Sequence, residues 1–194
     1  PPVQSAYKGY DFQGVKEVGY TYNPEKAKQL LAEAGYPNGK GFGSVNLRLN
    51  ISDIHSAIAD EVAQQLSSVL GINVNIDASS FGQLEKDGET GNFELSRNGW
   101  AADYLSPETF LFNFYGKNVP ESKKESSYIN KSRYQNPAFD ELFEKAKKSE
   151  KLTDQMNYFS LAEIELMKNP PIIPLWYKGD YGIVYSNVRN LYFN

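Results

Sequence analysis

The 194-residue chain contains no cysteine. That excludes disulfides, thiolate metal sites and cysteine nucleophiles, and it is silent on the compartment. Histidine occurs once, at His55, so direct metal ligation by His and Cys has almost no material to work with. Positive charge is also short. Lys and Arg total 20 against 24 Asp and Glu, a formal net charge of −4, and no broad basic face for nucleic acid follows from that balance. No apolar run reaches membrane-spanning length. Neither a G-x-S-x-G elbow nor an H-E-x-x-H pair occurs. What remains of enzyme chemistry is a carboxylate pair such as Glu94 and Asp103, of the kind a glycoside hydrolase uses, and nothing in their spacing demands that role. An initiator methionine is missing too. The chain opens at Pro1-Pro2 and stops after Leu191-Tyr192-Phe193, so both ends read as cut. An excised domain is expected, and the missing targeting signal then says nothing about the parent.

Aromatic residues, by contrast, are plentiful at 14%, with 14 Tyr, 11 Phe and 2 Trp, which suits a binding surface as well as a core. Hydrophobic residues at 40% and charged residues at 23% describe a soluble globular domain, long enough for one good core or two small ones. Residues 1–22 have no clear period and read as an irregular opening segment. Tyr7, Tyr10, Tyr20 and Tyr22 are read as a face for a missing lobe. Asn23-Pro24 is a helix start, Ala27, Leu30, Leu31 and Ala34 its apolar face, and Gly35 its stop. Val45, Leu47, Leu49 and Ile51 alternate as a strand. Asp53 caps a second helix whose face is Ile54, Ile58, Val62, Leu66 and Val69, ending at Gly71. Ile72, Val74 and Ile76 alternate again. A short helix at Phe81 and Leu84 follows, then a short strand at Phe93 and Leu95. Ser106-Pro107 starts a helix with Phe110, Leu111 and Phe114. Residues 116–133 read as a surface loop, with Lys123, Lys124 and Glu125 as solvated charge. Asn136-Pro137 starts a helix carrying Phe139, Leu142, Phe143 and Ala146. Thr153 caps another with Met156, Phe159, Ala162 and Leu166. Ile172 to Tyr177 and Tyr181 to Tyr185 read as late strands. The alternation predicts an α/β fold with a mixed sheet flanked by helices.

The segment RNGWAADYLSPETFLFNFY, from Arg97 to Tyr115, is the most informative. It packs a cation, a bare Gly turn, a Trp and a carboxylate between Arg97 and Asp103. A zwitterionic ligand such as a peptide needs an anion for its ammonium, a cation for its carboxylate, and apolar walls that exclude water. His55, in the first turn of its helix, and Arg97 both follow the carboxyl ends of strands, where open α/β sheets gather ligands. The helix N-terminus adds partial positive charge beside His55. Against this stand plainer readings. Arg97 and Asp103 pair with each other on the surface, Trp100 belongs to the core, and His55 is an exposed or capping residue.

Five motifs in order carry a family resemblance over nearly the whole chain. They are NPEKAKQLLAEAGYPNGKGF, NISDIHSAIADEVAQQLSSVLGINVNI, GNFELSRNGWAADYLSPETFL, YQNPAFDELFEKA and PPIIPLWY. The chain resembles the C-terminal lobe of the oligopeptide-binding proteins of ABC importers, among the dipeptide, oligopeptide and nickel binders of bacterial solute-binding family 5. The resemblance implies one lobe of a two-lobe, type II periplasmic-binding-protein fold, with members roughly twice this length or more. On that basis residues 1–194 form a single lobe, and 186–194 begin the return to the missing one. The resemblance further implies that Asp103, of the GW-x-x-D-Y signature, holds the peptide ammonium, and that Trp100 lines a side-chain pocket. It gives Arg97 the peptide carboxylate and His55 the carboxylate of a longer peptide. Phe81 stands where a Trp is common, and Lys178 where an aromatic can stand. The expected protein is not an enzyme. It is an extracytoplasmic, monomeric receptor, periplasmic or a cell-surface lipoprotein, with no cofactor or metal. Its partners are a short peptide and the membrane permease of an importer, with a nickel chelate, haem or oligosaccharide as the alternative ligand.

Overall fold

A computed structural model of the chain describes residues 2–3, 7–177, 179, 183–185 and 187–189. Three strands form a sheet in the order β2-β1-β3, with β1 at Ser44–Asn50, β2 at Asn73–Ser79 and β3 at Leu95–Ser96. The expected class, α/β with flanking helices, is what is seen. All three described strands pair parallel, with Ser44 opposite Asn73 and Leu47 opposite Leu95. Parallel neighbours need crossovers, and two helices supply them. These are α3 (Asp53–Leu70) between β1 and β2, and α4 (Phe81–Thr90) between β2 and β3. The strict alternation of β1 puts Leu47 and Leu49 into a small core with Ala59 of α3, backed by Val62, Val74 and Leu95. The other face of β1 is polar. Arg48 pairs there with Asp77 of β2 at 3.4 Å and with the buried Asp87 of α4. Asp87 also accepts from Asn92 and Gln83, and these bonds hold its carboxyl below the usual range against the opposing effect of burial.

The turn before β1 docks on the end of α3 through two glycines. Gly71 ends α3 at φ +70, and a Cβ on Gly39 would lie 2.4 Å from the Gly71 carbonyl oxygen. Only glycine fits both sides of that contact.

A second, larger core is helical. It is built by α1 (Phe12–Val18), α5 (Glu108–Leu111), α6 (Pro137–Lys148) and α7 (Leu152–Lys168). Phe110, Leu111, Phe114, Phe139, Phe143, Phe159 and Leu166 are buried together there, as their helical spacing predicts. The two cores meet through polar contacts. Lys131 pairs with Glu85 at 2.7 Å, the Ser127 N–H donates to the Glu89 carbonyl at 2.8 Å, and Arg133 donates to the same carbonyl at 3.2 Å.

Several sequence expectations need correction. The opening segment is not wholly irregular, because Asp11 caps α1 by accepting from the Gly14 N–H. Tyr10 is buried in the helical core and Tyr7 packs against it, whereas Tyr20 and Tyr22 are exposed. The apolar face of α2 (Pro24–Glu33) holds no buried residue, and Leu30 is exposed. Helix α3 is preceded by Ser52 and not capped by Asp53, and α7 begins at Leu152 after Lys151 instead of behind a Thr153 cap. The segment over 116–133 opens with a 3-10 turn at Gly116–Asn118 and is otherwise irregular, but its Ser127 and Asn130 are buried. Asn130 donates to the Tyr115 and Tyr134 carbonyls, so the loop is built inward on itself. Ile172 to Tyr177 forms no strand. Pro171 and Pro174 remove ladder donors there, which works against strand pairing. Of the last expected strand, Tyr181 and Gly182 lie outside the described residues, as does Lys178, and Ile183 to Tyr185 is not in a strand.

One buried polar group ties distant parts of the chain to α7. Glu163 accepts from the Val3 N–H at 2.8 Å and from the Tyr10 hydroxyl, and the Tyr177 hydroxyl donates to the Val3 carbonyl at 3.2 Å. Burial pushes the Glu163 carboxyl up to about 7, and the two donors oppose that rise only in part. The folded value lies above the ordinary 4.5, so the folded state keeps this proton longer. Its stabilising contribution is full below about 4.5 and is lost as pH rises through about 7. Denaturant titrations at a series of pH values should show that slope, and Glu163→Gln should flatten it. An unchanged slope in the variant would assign the dependence to other groups.

Candidate functional site

Three strand ends converge on one edge of the sheet, and each delivers candidate residues. β1 ends at Asn50, and Ile51 and Ser52 lead into α3, whose first turn carries His55. Ser52 makes no side-chain cap bond, so the first N–H groups of α3 lack that partner. β2 ends at Ser79, Ser80 caps α4 by accepting from the Gln83 N–H, and Phe81 is the first helical residue. β3 continues into Arg97, whose N–H donates to the Arg48 carbonyl at 2.7 Å. Because β1 is central, His55 follows the middle strand while Phe81 and Arg97 follow its two neighbours, roughly 10 Å apart by strand spacing. Trp100 and Asp103 lie on the loop after Arg97. All five residues predicted from the sequence therefore belong to one edge.

Two nitrogens at this edge are buried without a protein partner, His55 Nδ1 and Arg97 Nε. A buried donor or acceptor left unpaired costs about 1–3 kcal/mol, so two together at a strand edge mark groups that gain from an incoming partner. Burial also lowers the guanidinium pKa of Arg97 from its ordinary value. No ion pair joins Arg97 to Asp103 among the described residues, which removes the plain surface-pair reading. The guanidinium instead lies beside Gly99, where an added Cβ would stand 3.8 Å from both of its terminal nitrogens.

Apolar side chains rim the same edge. Ile54 is 70% exposed, Phe81 66%, Trp100 49% and Leu105 86%, with Ile51 and Tyr104 exposed beside them. The periodicity of α3 puts Ile54 on its core face, and a core position is the plainer reading of Trp100. Neither is buried, because α3 and the β3 loop both run past the ends of the strands that would cover them. An exposed apolar strip rimmed by charge is a surface made to be covered. The edge is open. Two concavities, of about 290 Å³ beside Asn46 and Glu94 and about 430 Å³ beside Tyr115 and Glu144, lie elsewhere.

The Glu94–Asp103 carboxylate pair is not assembled. Glu94 precedes β3 and is taken up by Asn46, accepting from its N–H and its side-chain amide at 2.7 Å each, while Asp103 follows the other end of β3. Among the described residues no group of three or more His, Cys, Asp or Glu side chains could hold a metal, and no described helix is long and apolar enough to cross a membrane. Sequence reasoning missed Thr109. It is buried, and its hydroxyl contacts both Trp100 and Asp103. The only signal was its place two residues after the Ser-Pro helix start.

Known proteins are similar to this chain in sequence and in fold. The model for bacterial extracellular solute-binding proteins, family 5 Middle, matches residues 1–122. The periplasmic oligopeptide-binding protein OppA of Salmonella typhimurium is 33% identical over 153 residues, 79% of this chain and 26% of its own length. The chain thus spans about a quarter of the length of these curated relatives. Among solved structures, a mannohexaose-bound periplasmic oligopeptide-binding protein from Thermotoga maritima superposes with TM-score 0.77 at 28% identity, over 92% of this chain and 35% of that one. The periplasmic binding protein DppA of Helicobacter pylori, in complex with the peptide STSA, gives 0.70 at 25% identity, over 88% of this chain and 31% of that one. With the family model covering well over half of its length, the chain belongs to the bacterial extracellular solute-binding proteins of family 5.

Proposed function

We propose that residues 1–194 are one ligand-binding lobe of an extracytoplasmic receptor that captures short peptides and passes them to the permease of an ABC importer. The observation that carries this reading is the strand-end edge itself. It offers a carboxylate, a guanidinium and an imidazole that each carry an unpaired buried nitrogen, and an uncovered apolar rim. A second lobe closing by a hinge covers that rim and buries the ligand. Asp103 takes the peptide ammonium. Arg97 and His55 take the carboxylate, and Trp100 and Phe81 wall the side-chain pockets. The peptide backbone is held by main-chain hydrogen bonds, in the manner of an added strand. The protein works as a monomer without cofactor, anchored or free outside the cytoplasm.

Arg97 and His55 follow different strands, so they meet carboxylates at different distances from Asp103. In calorimetry on the full-length receptor with a ladder from di- to pentapeptides, Arg97→Ala should weaken shorter peptides and His55→Ala longer ones. Each loss should be roughly three- to tenfold, since a charged contact at a partly exposed edge is screened. Equal losses along the ladder would remove the length-reading role. A wild-type receptor that binds no member of the ladder would remove the peptide reading.

A second ligand class has one observation in its favour. Phe81, Trp100 and Tyr104 stand exposed on the rim, as faces that stack on sugar rings do, and a relative in the family holds mannohexaose. The mass spectrum of whatever co-purifies with the receptor separates peptide from oligosaccharide.

A further inference from the structure

Trp100 and Asp103 sit on an exposed loop between β3 and α5 that holds Gly99, Ala101 and Ala102. Such a loop has little of its own to fix two side chains. Among the described residues, the hydrogen bonds that reach both of them come from one atom. Thr109 is 3% exposed, and its hydroxyl accepts from the Asp103 N–H at 3.2 Å and from the indole N–H of Trp100 at 3.5 Å. The same hydroxyl donates to Asp103 Oδ2 at 3.4 Å. A hydroxyl has one donor and two acceptor sites, so these three contacts use its whole capacity. Thr109 is itself immobilised by its neighbours, because Phe110 and Leu111 are buried in the helical core. A rigid core thus reaches the ligand edge through a single side chain.

We infer that Thr109 is a positioning residue for ligand, setting the carboxylate of Asp103 and the ring of Trp100 in one fixed relation. This rests on the reading of Asp103 as the ammonium anchor. The bond to Oδ2 occupies one carboxylate oxygen and stops rotation of the group. Oδ1 has no hydrogen bond among the described residues and is left for the ammonium. The indole N–H is held by the same oxygen, so the pocket wall and the charge anchor are set together and not independently. Threonine rather than serine suits the position, because its branched Cβ restricts χ1 and so the direction of the hydroxyl.

The test is calorimetry on the full-length receptor with one tripeptide in two forms, free and N-acetylated. Thr109→Val keeps the shape and removes the hydroxyl. It should weaken the free peptide by roughly tenfold, leave the acetylated one within about twofold, and so collapse the ratio between them. Thr109→Ser keeps the hydroxyl and should retain most of the ratio. If the wild type shows the ratio and the Val variant keeps it, Thr109 positions nothing and the peptide reading stands. If the Val variant weakens both forms alike, the residue is structural only and the inference falls. A wild type that binds both forms equally removes Asp103 as the anchor, and this role with it. Should the Val variant not fold, the wild type supplies a second measurement. The indole proton of Trp100, followed by NMR, should exchange with solvent several-fold more slowly than that of a free indole, since it is tied to a buried oxygen. Exchange at the free rate would overturn the inference.

Discussion

Asp103→Asn in the full-length receptor should lower affinity for a free-amine peptide by roughly ten- to hundredfold, the equivalent of about 1.5–3 kcal/mol for one buried, charge-assisted hydrogen bond. The substitution is nearly isosteric and removes only the charge. Thr109 can still donate to the amide oxygen, so the loop keeps its anchor to the helical core. The loss therefore reports the ammonium contact and not a collapsed loop. Acetylating the peptide removes the partner charge, so it should cost a similar factor on the wild type and little more on the variant. Calorimetry that finds free and acetylated peptides binding alike to the wild type would sink Asp103 as the anchor.

The largest effect on stability should come from Phe143→Ala. Its ring is fully buried at the centre of the helical core. It lies 5.0 Å from Tyr115, 5.8 Å from Phe159 and 5.9 Å from Phe139 between centroids, with Lys147 Nζ 5.7 Å above it. Two helices, α6 and α7, and the segment after α5 meet there, so no single neighbour can move in to fill the space. Removing such a ring costs about 3–5 kcal/mol, through lost transfer energy and the cavity left behind. At this chain length that corresponds to a fall in Tm on the order of 10 °C. Differential scanning calorimetry measures it directly. A fall of only a degree or two would mean that the helices collapse into the cavity and that the aromatic cluster is looser than its geometry implies.

Local signals in the sequence reached well into the fold. The alternation of Val45, Leu47 and Leu49 marked β1 and its buried face, and the Asn-Pro pairs marked α2 and α6. In both helices the Asn side chain does accept from first-turn N–H groups. The place of two candidate residues was legible for the same reason. Residues just beyond strand ends must sit at the edge of the sheet, and that rule placed His55 and Arg97 there without any contact being known, whereas Phe81 came only from the family resemblance. What stayed hidden depended on distant partners. Glu163 interrupts the apolar stripe of α7, and only Val3 and Tyr10, some 160 and 153 residues away, explain its burial. Thr109 looks like any residue in a helix start until the loop folds back onto it. Helix α1 has seven residues, too few to show a period, and it depends on its Asp11 cap and on Val15 packing into the core. Ile54 fits the apolar periodicity of α3, but periodicity cannot tell where the strands beneath a helix stop.

Both cores contribute to the strand-end edge. His55 and Phe81 ride on the sheet cluster, while Trp100 and Asp103 are pinned by Thr109 to the helical one. The edge therefore straddles a seam, and the spacing between Asp103 and His55 is a property of the seam rather than of either core. A shear of a few tenths of an ångström between the clusters would act as a vernier on that spacing. The contacts that set the vernier are remote from the edge, namely Lys131 with Glu85, and Ser127 and Arg133 with the Glu89 carbonyl. Being polar and few, they can drift in sequence more cheaply than a packed core. If the edge binds peptides as proposed, a scaffold divided in this way can be re-gauged for a ligand of another length without any residue at that edge being exchanged.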